Sequence, residues 1–172
     1  LSATYAAALV QESGLGGFSA PALEKKLAGQ TVSVSPFVGS IEEGLRGMSS
    51  VGDAEALFQL IYNYFTSPRE DREAYINLIR SLETVAQNRE SQPGRVFSDR
   101  IQELITGGHY TALPLTAERV AEIDFGDAME IYSERFADAD DFTFVFVGNM
   151  TPKNLEPFLE GYIASLPSAD EK

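Results

Sequence analysis

The sequence predicts an α+β domain in which an antiparallel sheet packs on helices. Three observations carry this. Residues 31–49 alternate apolar and polar positions in two short runs, the pattern of a half-buried hairpin. From Asp53 to Phe136 the apolar residues recur at helical spacing instead. One later run, residues 142–147 (Phe-Thr-Phe-Val-Phe-Val), is aromatic and β-branched throughout and reads as the strongest strand in the chain. Strands grouped apart from a helical block point to an α+β layer, not to a doubly wound parallel sheet.

The elements follow in order. A helix over residues 3–13 is rich in alanine and is stopped by Gly14, Gly16 and Gly17. Ser19 then reads as an N-cap with Pro21 in the first turn, and Leu23, Leu27 and Ala28 form a stripe that Gly29 closes. Val32 and Val34 alternate with small polar residues as a strand with one wet face. A second strand over residues 40–49 sets Ile41, Glu43, Leu45, Gly47 and Ser49 against Glu42, Gly44, Arg46 and Met48, with Phe37, Val38 and Gly39 as the turn. The spacing then predicts a helix capped by Asp53, carrying Ala56, Leu57, Leu60, Ile61 and Tyr64 to the stop at Ser67-Pro68.

A long helix over residues 69–89 is expected to place Ala74, Ile76, Leu78, Ile79, Leu82 and Val85 inside. Pro93-Gly94 breaks it, and Val96, Phe97, Ile101, Leu104 and Ile105 make another that ends at Gly107-Gly108. Pro114 and Thr116 open a short helix through Val120. Asp124 or Asp127 caps the next, which carries Ala128, Ile131, Tyr132 and Phe136. After the strand, Asn149 and Thr151-Pro152 start a final helix to Ser165. Residues 1–172 are expected to form a single domain, with residues 166–172 as linker or tail.

Composition narrows the function. The chain of 172 residues is long enough to bury a proper core, and 44% hydrophobic with 23% charged residues is an ordinary globular mixture. With no cysteine, disulfides, thiolate zinc sites and cysteine nucleophiles are all excluded. The net charge of -13 has the wrong sign for a nucleic-acid footprint, and an anionic membrane surface would repel it. It suits basic or peptide-like partners, or simply a solvated acidic surface. No apolar run approaches the roughly 20 residues of a membrane span. Ala6 to Val10 is short, lacks a basic flank and does not read as a signal peptide. The chain starts with leucine, which fits an excised piece or a processed product.

No motif specifies a catalytic site. His109 is the sole histidine, and one histidine without cysteine cannot supply a zinc ligand set. A loop histidine following a helix, its charge suited to the dipole, is the simpler reading. The serines at Glu12-Ser13-Gly14 and Glu90-Ser91 lack the glycine-flanked nucleophile elbow. Gly14-Leu15-Gly16-Gly17 follows a helix instead of a strand, so it reads as a cap and turn and not as a phosphate loop. Glu42-Glu43 and Asp138-Ala139-Asp140-Asp141 are carboxylate-rich, but the latter lacks the twelve-residue calcium-loop spacing. Arg46 could bind a peptide carboxylate or backbone, with an ordinary surface arginine the preferred reading.

The ordered pattern is more informative than any single motif. Residues 19–29, Val32 and Val34, Gly44-Leu45-Arg46-Gly47-Met48, residues 54–60, and Phe144-Val145-Phe146-Val147-Gly148-Asn149-Met150 ahead of a helix and Leu166-Pro167 together resemble a repeat of the pitrilysin/insulinase-type zinc metallopeptidases. The resemblance runs from about Ala6 to Pro167. It implies the family's α+β repeat with its first strands absent. In the family's catalytic repeat an H-x-x-E-H helix supplies two zinc-binding histidines and a glutamate that activates water, and a downstream glutamate completes the ligands. The matching stretch here is Ala8-Leu9-Val10-Gln11-Glu12, with alanine and glutamate at the histidine positions and glutamine at the base; Glu83 falls in the region of the third ligand.

The resemblance therefore implies a non-catalytic repeat with no catalytic, cofactor or metal residue of its own. Zinc is expected in the catalytic repeat of the parent. The partners expected are the other repeats and a peptide substrate, and the compartment is the bacterial periplasm. A stand-alone interaction module of the same fold is the alternative. An unrelated α+β enzyme using scattered carboxylates ranks last, because no spacing specifies its site.

Overall fold

The computed structural model describes residues 1–39 and 41–168. Its elements are α1 (Ser2–Ser13), α2 (Ala20–Lys26), β1 (Val32–Val38), β2 (Glu43–Ser49), α3 (Ala54–Thr66), α4 (Arg72–Glu90), α5 (Pro93–Ile105), α6 (Ala117–Val120), α7 (Phe125–Arg135) and α8 (Pro152–Phe158). The expected fold class holds: a two-stranded antiparallel sheet packs on helices. Ser40, the expected start of the second strand, and residues 169–172 of the expected tail lie outside the described residues.

Alanine sets the centre of the molecule. Ala6, Ala7, Leu9 and Val10 of α1 are buried, and small side chains let α7, β1 and α4 all approach this one helix. Around it gather Leu60, Ile61, Tyr64 and Phe65 of α3, Val34 of β1, and Ala128, Met129 and Tyr132 of α7, with Phe136 just beyond that helix. A smaller cluster of Ala86, Val120 and Ile123 fills the space between α4 and α6.

Two tyrosines stitch these layers. Tyr64 lies in the last turn of α3, where its carbonyl would ordinarily accept from the amide four residues on. That residue is Pro68, which has no N–H. The hydroxyl of Tyr132 on α7 donates to the carbonyl instead, at 3.1 Å, and the hydroxyl of Tyr64 donates to the Val34 carbonyl of β1 at 3.2 Å. Burial pushes the Tyr64 phenol up to about 12 and raises that of Tyr132 further.

Gly14 ends α1 with φ of 96°, a region that L side chains rarely adopt. A Cβ there would meet the Phe18 carbonyl oxygen at 2.2 Å. The register of the hairpin pairs Val34 with Gly47 and Pro36 with Leu45 on the inner face. Gly47 is small because α3 lies directly behind it, with a Leu57 methyl 2.8 Å from where a Cβ would sit. Phe37 and Val38 belong to β1 and not to the turn, which is closed by the Gly39 amide donating to the Glu42 carbonyl at 2.7 Å.

Asp53 precedes α3 at the N-cap position but does not cap it with its side chain. Its carboxylate accepts from the Thr31 amide at 2.9 Å and the Ser50 hydroxyl at 2.6 Å, fastening the start of β1 to the end of β2. Asp71, Thr116, Asp124 and Thr151 do cap their helices. On α4 the buried line is set by Tyr75, Ile79, Leu82 and Ala86, so Ile76 and Val85, expected inside, face solvent. The final helix widens into a π turn over Leu159–Ile163 shortly after Pro157, whose ring nitrogen cannot donate.

The largest departure is at residues 142–147. They are extended with alternating burial, and Phe142, Phe144 and Phe146 point at the core while Val145 and Val147 are 77% and 95% exposed. Phe65 meets Phe142 at 5.0 Å, and Phe58 meets Phe146 at 4.9 Å between ring centroids. Among the described residues no backbone–backbone hydrogen bond reaches residues 143–147. The side-chain period of a strand is present and the ladder is not, because no strand among the described residues pairs with this segment. The expected strand is an unpaired extended segment.

Two outcomes follow from this packing. Tyr132→Phe should leave the Tyr64 carbonyl unpaired in the core and lower unfolding stability by about 1–3 kcal/mol in a urea titration. Gly14→Ala should cost roughly 3 kcal/mol or more by the same measurement, since it combines a strained φ with a backbone clash; an unchanged midpoint for either variant would contradict the account.

Candidate functional site

The residues that match the zinc motif stand on α1. Ala8, Gln11 and Glu12 are three and four positions apart, so they share one side of the helix. Ala8 is half-buried, and Gln11 and Glu12 are exposed at the solvent side of the helix that forms the core. Glu83 is half-buried on α4, which packs against α1. The donor set does not fit zinc: a methyl group has no lone pair, and an amide is a poor base for activating water. Among the described residues no three His, Cys, Asp or Glu side chains gather in a group that could hold a metal ion.

The other candidates are dispersed over the fold. His109 lies beyond the end of α5, exposed, with its ring 4.7 Å from that of Tyr110. Ser13 is fully buried, and its hydroxyl has no hydrogen-bond partner among the described residues, so no base activates it. The Ser91 hydroxyl donates to the Asn88 carbonyl at the end of α4. In the acidic run, Asp138 accepts from the Asp140 amide at 2.9 Å and Asp140 accepts from the Ser168 hydroxyl at 2.6 Å. That run is a turn that holds the following chain, not a converging cage.

Arg46 has its guanidinium 4.5 Å from the centre of the Phe37 ring and 3.7 Å from Glu42. These contacts occupy it on the outer face of the hairpin, where they contribute little, as exposed pairs do.

A cleft of about 460 Å³ lies between β2 and the extended segment. Its floor includes Leu57, Ile61 and Phe65, a stripe at four-residue spacing along α3. Gly44, Leu45 and Gly47 line one wall, and residues 142–146 line the other. Glu42, Glu43 and Asp141 gather at the end where both walls begin, and Glu43 pairs with Arg135 at 3.5 Å. Motif reading missed this cleft because its lining comes from three separated stretches. One signal was available: three strand-like runs with only two of them paired as a hairpin.

The comparisons with known proteins agree with this fold. No family model matches the chain. It is 30% identical over 121 residues to "Zinc protease PQQL-like" of Arabidopsis thaliana, which covers 70% of the chain and 13% of that protein. It is 26% identical over 165 residues to "Probable zinc protease PqqL" of Escherichia coli (strain K12), covering 94% of the chain and 17% of that protein. The crystal structure of the periplasmic protease PqqL from Escherichia coli superposes with a TM-score of 0.76 at 22% identity, over 98% of the chain and 19% of that structure. The chain thus spans less than a fifth of the length of each of these relatives.

The carboxylates with clear partners contribute to acid stability. Hydrogen bonds from the Ser50 hydroxyl and Thr31 amide hold Asp53 below the usual carboxylate range; the Ala74 amide does so for Asp71, and Arg89 does so for Asp99. A carboxyl lowered in the folded state adds stability that is present above its unfolded value, about 3.9, and is lost as pH falls through the lower folded value. The urea midpoint should therefore drop between pH 7 and about pH 3, and Asp53→Asn should remove part of that drop. A midpoint independent of pH over that range would refute the assignment.

Proposed function

The chain belongs to the pitrilysin/insulinase-type zinc protease family, and we propose that it is a non-catalytic repeat which supports the catalytic repeat and helps to enclose a peptide substrate. The observation that carries this reading is the composition of α1. Where the catalytic helix of the family needs two histidines and a glutamate, this helix has Ala8, Glu12 and Gln11. Ala8 has no lone pair to give a metal and the Gln11 amide cannot take a proton from water, so the family's constellation is not reproduced on this helix.

A second feature supports a role inside a larger assembly. Helix α5 has no buried residue, and Phe97, Ile101, Leu104 and Ile105 stand exposed along one side of it. Apolar stripes of this kind mark surfaces that another element covers. The other repeats of the same protease are the partners proposed for it. Arg89 of α4 ties it to the domain, gripping Asp99 with two hydrogen bonds.

Zinc belongs, on this reading, to the catalytic repeat of the longer protein, and its substrates are peptides. The periplasm is the compartment proposed for bacterial members, after the periplasmic protease whose structure the chain matches. No helix among the described residues is long and apolar enough to cross a membrane.

Elemental analysis of the purified chain after equilibration with zinc tests the reading. The expected result is zinc well below one equivalent and no cleavage of a mixed peptide library. One equivalent of zinc, lost in the Glu12→Ala variant, would overturn it.

A further inference from the structure

A second pocket, of about 230 Å³, shares no lining residue with the cleft beside β2. It lies between the Leu15–Phe18 turn, α2 and α3, and its apolar lining is Leu15, Leu23, Leu27, Ala56 and Leu60. Leu15, Ala56 and Leu60 are buried in the core, so the floor is fixed. The turn is fixed as well. Leu15 and Phe18 exchange backbone hydrogen bonds of 2.9 and 3.0 Å, and the Gly16 amide donates to the Ser67 carbonyl, just past α3, at 2.8 Å. A pocket formed in advance loses little entropy when its ligand binds.

The rim carries polar groups that neighbouring residues hold in place. The Gln59 side-chain amide donates to the Tyr162 hydroxyl oxygen at 3.2 Å, and that hydroxyl donates to Glu55 at 3.0 Å. The Asn63 side-chain amide donates to the Gln59 backbone carbonyl at 2.7 Å. Its Oδ1 lies beside Gly16, 3.6 Å from where a Cβ would sit. Each of these two amides thus has an N–H engaged by the protein and an oxygen that accepts no hydrogen bond among the described residues. Lys26, the last residue of α2, also lines the pocket, and no carboxylate among the described residues pairs with it.

Volume and chemistry select the occupant. At about 230 Å³ the pocket falls below the roughly 300–1,000 Å³ of most small-molecule sites and has room for a single residue. The leucine floor suits an apolar side chain. Free amide oxygens on the rim accept a backbone N–H, and an unpaired ammonium attracts a carboxylate. These three groups occur together at the last residue of a peptide. We propose that the pocket binds the carboxyl end of a peptide whose final residue is apolar. The carboxylate lies at Lys26, and the final amide N–H donates to the side-chain oxygens of Asn63 and Gln59. The chain's net charge of -13 repels anions at long range, so this recognition is short-range and weak.

Titration of the 172-residue chain with acetyl-Ala-Leu, followed by backbone amide shifts in NMR spectra, tests it. The expected result is saturable shifts at Gly16, Gly17 and Asn63 with a Kd on the order of 1 mM. The carboxamide of the same peptide should bind roughly 3- to 5-fold more weakly, for want of the charge. Acetyl-Ala-Gly should bind roughly 10-fold more weakly or worse, for want of the side chain. Lys26 is exposed, so Lys26→Gln should keep the spectrum of the folded chain while making acid and carboxamide bind alike. The absence of saturable shifts below about 20 mM would overturn the proposal. So would equal binding of the acid and either control by the unaltered chain, or a Lys26→Gln variant that still prefers the acid. Free leucine binding as tightly as the peptide would also overturn it, since the pocket would then be an amino-acid site. The pocket includes none of Ala8, Gln11 and Glu12, so the zinc measurement and this titration fail independently.

Discussion

The hydrogen-bonded line from Tyr132 through Tyr64 to Val34 is the constraint on which the rest of the packing depends. It exists because Pro68 withholds the amide that would have satisfied the last turn of α3. A phenol from α7 fills that need, and the tyrosine whose carbonyl is satisfied in turn secures the hairpin. Three layers are therefore held in register by two buried hydroxyls. The interior offers no solvent to replace them, so loss of either leaves an acceptor without a donor.

Around that line the alanine-rich α1 serves as the common packing surface. The same helix is where a catalytic member of the family would place its metal, and the two demands compete. A metal-bearing helix must turn polar ligands towards an open space. Here Ala6, Ala7, Leu9 and Val10 turn inward, while Gln11 and Glu12 stay exposed to solvent. A chain freed from supporting chemistry can use such a helix wholly for packing, which is consistent with the role proposed.

Much of the local structure was legible in the sequence for identifiable reasons. Glycine and proline stops, together with Asp71, Thr116, Asp124 and Thr151 as caps, mark most helix ends because the orphan amides of a first turn require such side chains. Asp53 is the counterexample. Its sequence context is that of a cap, but its carboxylate is taken by Thr31, 22 residues earlier, a competition that only proximity in space reveals. The buried line of α4 was misread for a related reason, since Ile76 and Val85 are apolar but no element covers them.

The sequence by itself determined the fold class, the order of elements and the lack of an H-x-x-E-H motif, because these depend on local periodicity and on which side chains exist. Only the tertiary structure decided that residues 142–147 have the form of a strand without a ladder. Alternation is a property of one segment, whereas a ladder needs a second segment at about 4.8 Å, and residues 143–147 have none among the described residues. The cleft, its helical floor and its two walls arise from that same missing neighbour, and no reading of one stretch at a time contains them.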